Sequence, residues 1–187
     1  MVKYIPPLGH TTFIEHTDTP DSYSGQAGNL PYVKSTEDGL EFLAQKAVGF
    51  RSRVRVYLSA DFNIASSTST TVPFDMKSYD ELNEFDTTSH RFTASESGWY
   101  VVIASLKFSS VVDAHMISGY LLKNGGLILC KDMGTSGTTP QGVDINDIVY
   151  LAAGDYLDFS VFHDFGITAS LEGTEEDKTF AAIHRIS

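Results

Sequence analysis

From Arg51 onward, apolar and polar positions alternate with a period of two. Val54, Val56 and Leu58 interleave with Arg53, Arg55 and Tyr57, as a half-buried strand requires, because successive side chains point to opposite faces. Tyr100, Val102, Ala104, Leu106 and Phe108 form one continuous apolar row, while the opposite row runs from Trp99, Val101 and Ile103 into Ser105 and Lys107. Leu157, Phe159 and Val161 alternate with Tyr156, Asp158 and Ser160, and the chain closes on Thr-Phe-Ala-Ala-Ile-His-Arg-Ile from Thr179. Between these, the stretches 117–123 and 127–131 flank Asn124-Gly125-Gly126. That is a tight-hairpin signal, since positive φ costs Gly little and Asn can tolerate it. Leu127 to Cys130 reads as a strand carrying a small buried thiol. No stretch keeps a 3.6-residue period over three turns. Short strands separated by Gly and Ser/Thr turns predict an all-β sandwich or barrel, for which a jelly roll is one edge-protecting solution.

Residues 1–50 have a different texture. Pro6, Pro7, Gly9, Pro20, Gly25, Gly28, Pro31 and Gly39 interrupt short polar phrases, and no apolar periodicity is long enough for a strand pair or a helix. The expected organisation is an extended N-terminal attachment arm or linker over 1–50 and a β domain over 51–187. The Ser/Thr cluster from Ser66 to Thr71 is expected to be a loop.

Size and charge narrow the function. A chain of 187 residues can bury roughly 70% of the surface its unfolded state exposes, which supports one full core and excludes two large domains. With 13 Lys+Arg against 24 Asp+Glu the formal charge is −11. That argues against a nucleic-acid partner, whose phosphates demand clustered cations. A single cysteine excludes an internal disulfide framework and a zinc site built on several thiolates. The first residues lack the apolar stretch of a secretory signal, and no window approaches a membrane span, so synthesis in a cytoplasm and no membrane insertion are expected.

Five phrases carry a resemblance: Val72-Pro-Phe-Asp, Phe85-Asp-Thr-Thr-Ser-His-Arg-Phe-Thr-Ala, Gly98-Trp-Tyr-Val-Val, Leu151-Ala-Ala-Gly-Asp-Tyr-Leu and Thr179-Phe-Ala-Ala-Ile-His. In this order and spacing they resemble the C1q/tumour-necrosis-factor-like (C1q/TNF-like) domain over about residues 62–187. Phe92, Gly98 and Tyr100 match its Phe-Thr and Gly-x-Tyr positions, Gly154-Asp155 its Gly-Asp turn, and Phe180 its final-strand aromatic. The resemblance implies a ten-stranded jelly roll assembled as a homotrimer. Trp99, Val101, Ile103, Tyr156 and Phe162 are the expected trimer-interface residues, because they place apolar groups on second strand faces that one sandwich does not cover. In the N-terminal part, Asp18-Thr-Pro, Tyr23-Ser-Gly-Gln-Ala-Gly and Gly39-Leu-Glu-Phe resemble a segment of tail-fibre and other virion proteins of tailed bacteriophages. A segment of this kind drapes over a partner, and Tyr4, Ile5, Phe13, Tyr23, Leu30, Tyr32, Leu40 and Phe42 are its expected anchors for virion attachment.

The candidates for chemistry are thinner. His10, His16, His90, His115, His163 and His184 show no paired spacing for a transition metal, and His163-Asp164 is the best local pair. The acids Asp80, Glu81, Glu84 and Asp86, and Glu172, Glu175, Glu176 and Asp177, lack the order of an EF-hand loop and are expected to be solvated loops. A calcium ion is conceivable, but no cofactor or metal is expected. No nucleophile elbow, phosphate-binding Gly loop or Cys/His arrangement is present, so an enzyme is not expected. The loop from Asp132 to Gln141 is a candidate recognition element.

The reading is a structural protein on the virion surface of a tailed bacteriophage. It would be a trimeric head-fibre, capsid-decoration or short tail-fibre knob, held to capsid or tail proteins through residues 1–50 and contacting host-surface glycans. The alternative is a free bacterial carbohydrate-binding, lectin-like module.

Overall fold

A computed structural model describes residues 29–34, 36, 39–43 and 52–186. The chain comprises two compact units, Met1–Phe50 and Arg51–Ser187. In the first, β1 (Leu30–Val33) and β2 (Leu40–Leu43) pair antiparallel, with Tyr32 opposite Glu41 and Val33 opposite Leu40. Lys34 N donates to Gly39 O and closes the turn. This corrects the expectation of a segment without a strand pair. Two four-residue strands are too short to register as alternation, and Pro31 fits because a two-stranded ribbon leaves one edge of each strand without a ladder partner.

The second unit is built of β3 (Arg53–Tyr57), β4 (Phe62–Ile64), β5 (Thr70–Thr71), β6 (Met76–Asp80), β7 (Phe85–Asp86), β8 (Arg91–Thr93), β9 (Gly98–Phe108), β10 (Met116–Lys123), β11 (Gly126–Gly134), β12 (Gln141–Leu151), β13 (Tyr156–His163), β14 (Ala169–Leu171) and β15 (Phe180–Arg185). No helix occurs among the described residues. Six strands form one sheet, in the order β11-β10-β13-β8-β7 with β5 also on β13, and seven form the other, in the order β4-β14-β9-β15-β3-β6 with β12 on β9. Thr70–Thr71, expected to be loop, pairs with Val161 and Ser160 as a short strand.

The inner rows meet in a single core. Every member of the row from Tyr100 to Phe108 is buried, as are Leu157, Phe159 and Val161. Rings interlock edge to face, Phe74 on Phe159 at 5.8 Å and Phe92 on Tyr100 at 5.6 Å. Burying such side chains is worth about 1.5–3 kcal/mol each. Tyr100 keeps its hydroxyl satisfied by donating to Glu96 O at 2.7 Å. The sheets come close at Gly119 of β10, where an added Cβ would lie 3.0 Å from a methyl of Val143.

Turn chemistry accounts for the connections. Asn124 and Gly125 both have positive φ, 52° and 77°, as the two-residue turn between β10 and β11 requires. The Asn124 amide then reaches the next turn. Its Nδ2 donates to Asp155 Oδ1 at 2.8 Å, and its Oδ1 accepts from Tyr156 N at 2.9 Å. The Asn124 hydrogen bond, Lys123 Nζ and the Ala152 N–H together hold the Asp155 carboxyl down from 3.8 to about 2. A folded-state value below the unfolded one gives stability that is present above the ordinary carboxylate range and is lost as pH falls toward the folded value. Acid unfolding of the wild type should therefore retain a component between about pH 4 and pH 2 that Asp155→Asn lacks, read as the pH dependence of the urea midpoint. A second test of the packing is Gly173→Ala. A Cβ at residue 173 would lie 2.1 Å from the Ala60 backbone, so the substitution should cost about 2 kcal/mol or more in urea unfolding.

Candidate subunit interface

β9 pairs with three strands of the seven-stranded sheet, β12, β14 and β15. It pairs with β12 along its whole length, from Gly98 opposite Leu151 to Phe108 opposite Gln141, and with β15 from Tyr100 to Ser105. Because its even-numbered side chains fill the core, its odd-numbered ones point outward. Register then sets their neighbours: Trp99 lies beside Tyr150, Val101 between Ile148 and His184, and Ile103 between Asn146 and Ala182. Trp99 is 49% exposed, Ile103 42%, Ile148 57% and Tyr150 49%. Trp99 and Tyr150 sit edge to face at 5.5 Å. Scattered exposed apolar side chains are ordinary, whereas a contiguous set on one sheet face makes a candidate interaction surface.

The same face becomes polar toward β3 and β6. Arg53 is ion-paired with Glu81. The Arg55 guanidinium lies 4.0 Å from the Phe180 ring centroid and donates to Glu176 O. His184 Nε2 and the Tyr79 hydroxyl are 2.9 Å apart. Burial holds the His184 imidazole below its ordinary range, the Arg53 charge acts in the same direction, and Glu81 opposes them.

Of the five residues expected at the interface, the structure brings Trp99, Val101 and Ile103 together on this face. Tyr156 and Phe162 belong to β13, in the other sheet. There Tyr156 is capped by the Arg91 guanidinium at 4.4 Å, and Arg91 is held by Asp158 at 2.8 Å. Ile148 and Tyr150 join the surface without having been singled out in the sequence. The alternation of Ile145-Asn-Asp-Ile-Val-Tyr is broken by Asp147, which caps the Ile148 N–H, and only the register with β9 reveals which side it presents.

Among the expected attachment residues, Tyr4, Ile5, Phe13 and Tyr23 lie outside the described residues. Leu30 opens β1, Tyr32 is 51% exposed, and Leu40 and Phe42 are half-buried in β2.

His10 and His16 lie outside the described residues, and the other candidates have structural duties. His163 is fully buried, its Nε2 donating to Ile64 O at 3.1 Å, whereas Asp164 accepts from Met116 N and pairs with His115 at 3.1 Å. The two neighbours therefore do not converge. Asp80 binds Lys77 at 2.7 Å and accepts from the Glu84 and Phe85 N–H groups. Glu84 is buried, accepting from Ser95 N and Oγ, and Asp86 closes the turn to Ser89. These acids organise turns and are not simply solvated. In the second cluster, Glu172 pairs with Lys107, Glu175 and Asp177 with Lys178, and Glu176 with Ser78. Among the described residues, no group of three or more His, Cys, Asp or Glu side chains could hold a metal ion, and no helix is long and apolar enough to cross a membrane.

Cys130 corrects another expectation, because its thiol is exposed. The four apolar letters of Leu127-Ile-Leu-Cys130 do not say which face turns inward. Pairing puts Leu129 opposite the buried Leu121 and Cys130 opposite Tyr120, with a bulge at Leu121/Leu122. The recognition loop is shorter than expected, because β11 runs to Gly134 and β12 begins at Gln141. Ser136 to Pro140 are exposed, and the base is tied by Thr135 to His115 N and by Asp113 to Gly137 N.

No family model matches the chain, and no curated protein matches it. Solved structures do. The Eiger TNF structure from S. frugiperda superposes with a TM-score of 0.55 at 16% identity, over 73% of this chain and 93% of that one. Murine APRIL gives 0.57 at 8% identity, over 73% and 100%. The globular domain of zebrafish complement 1qA gives 0.52 at 15%, over 72% and 95%.

The two rows of β9 provide a direct test of the face. Val102→Asp should prevent folding, since it buries an unpaired charge. Ile103→Asp, one residue away, should leave the urea stability of the monomer within about 0.5 kcal/mol. The all-β domain thus has the jelly-roll fold shared by TNF and C1q domains.

Proposed function

We propose that this chain is a non-enzymatic structural protein that assembles as a homotrimer through the outer face of the seven-stranded sheet, and that it serves on the virion of a tailed bacteriophage. The observation that carries the assembly is the contiguous apolar surface of Trp99, Val101, Ile103, Ile148 and Tyr150. The fold supports a threefold arrangement. The surface is asymmetric, apolar near the edge strand β12 and charged toward β3 and β6, which suits the heterologous contacts of a closed ring better than a self-complementary twofold patch.

The virion role rests on the resemblance of residues 18–42 to bacteriophage fibre and virion segments. In this reading residues 1–50 attach a trimeric knob to the capsid or tail, as a head-fibre or decoration protein or a short tail fibre. The exposed loop 136–140, on a base held by side-chain hydrogen bonds, is the element that would meet host-surface glycans. No cofactor is involved.

The test is to supply the protein lacking residues 1–50 in place of the full chain during particle assembly. The truncated protein should remain trimeric and be missing from purified particles. Its normal incorporation would contradict attachment through the first fifty residues.

A further inference from the structure

His184 sits where the apolar and charged halves of the proposed interface meet. One register row crosses four strands, from Ile148 on β12 through Val101 on β9 and His184 on β15 to Arg53 on β3. On the β9 side the imidazole faces Val101 and Ile103, which carry no charge. On the β3 side it faces Arg53, with Arg55 one pair further along. From β6 and the residue beyond it come the Tyr79 hydroxyl and Glu81, and Glu81 is already engaged by Arg53. Among the described residues of the same subunit, the carboxylate on this side of the ring, Glu81, is thus already committed to a guanidinium.

We propose that His184 is a pH-sensitive switch for subunit assembly, neutral in the trimer and, once protonated, driving the subunits apart. The inference rests on the trimer reading above. Its physical basis is that closing the interface removes the ring from water beside a guanidinium, so the charged form is penalised more in the assembled state than in the free subunit. The already lowered position of the His184 equilibrium in the single subunit agrees in sign. Assembly is then favoured above the titration of His184 in the free subunit, which itself lies below the ordinary imidazole range, and is lost as pH falls through it. Three rings titrate per trimer, so the apparent association constant should fall by up to about a thousandfold per pH unit in the steep region.

The experiment is sedimentation velocity on the full chain and on His184→Gln between pH 8 and pH 4.5, with far-UV circular dichroism on the same samples. Glutamine can still hydrogen-bond Tyr79 and cannot titrate in this range. The expected result is a wild-type trimer that dissociates on acidification with its β spectrum unchanged, and a His184→Gln trimer that persists. A wild-type trimer stable throughout, or equal dissociation of both proteins, would overturn the switch and leave the trimer standing. A chain that is monomeric at every pH would overturn the trimer, and the switch with it.

Discussion

The pairing of β9 with β12 on one side and β15 on the other is the constraint on which the rest of the domain depends. Once that ladder is set, every side chain of the strand is committed to one of two faces. The even-numbered row from Tyr100 to Phe108 closes the core against the six-stranded sheet. The odd-numbered row is left on the outside with whatever apolar character it has. A one-residue slip would exchange the two rows, turning Lys107 inward and Phe108 out. Register therefore positions both the fold and its candidate interface.

Much of the fold was legible because it rests on local rules. Alternation identified β3, β9 and β13, Asn124-Gly125 marked the hairpin, and the five ordered phrases pointed to the jelly roll. The interface was only partly legible. Alternation says that a residue lies on a second face, but it does not say which sheet that face belongs to. Trp99, Val101 and Ile103 fell together because they share a strand, whereas Tyr156 and Phe162 went to the other sheet. Ile148 and Tyr150 became part of the surface through pairing that is long-range in sequence. The same limit explains Cys130, where an all-apolar run hid the inward phase until the partner strand supplied it.

Charge in this acidic chain is used for connection. Asp80, Asp86 and Asp155 each satisfy backbone N–H groups at turns, where carboxylate-assisted hydrogen bonds are stronger than neutral ones. Lys77 and Lys123 complete ion pairs with Asp80 and Asp155. Among the described residues, the acids that looked like metal ligands in the sequence are committed to backbone N–H groups, to Ser or to Lys and Arg. The contrast with the outer face of β9 is plain, since its apolar end has no such commitments and its charged end is paired internally around His184.

The central claim is that this face joins three chains. It is tested most directly by the native mass of the full-length protein at neutral pH, measured beside Ile148→Asp at the same concentration. The account predicts three times the 20.5 kDa chain mass for the wild type and a single folded chain for the variant. A wild type at one chain mass, or a variant that stays trimeric, would contradict it.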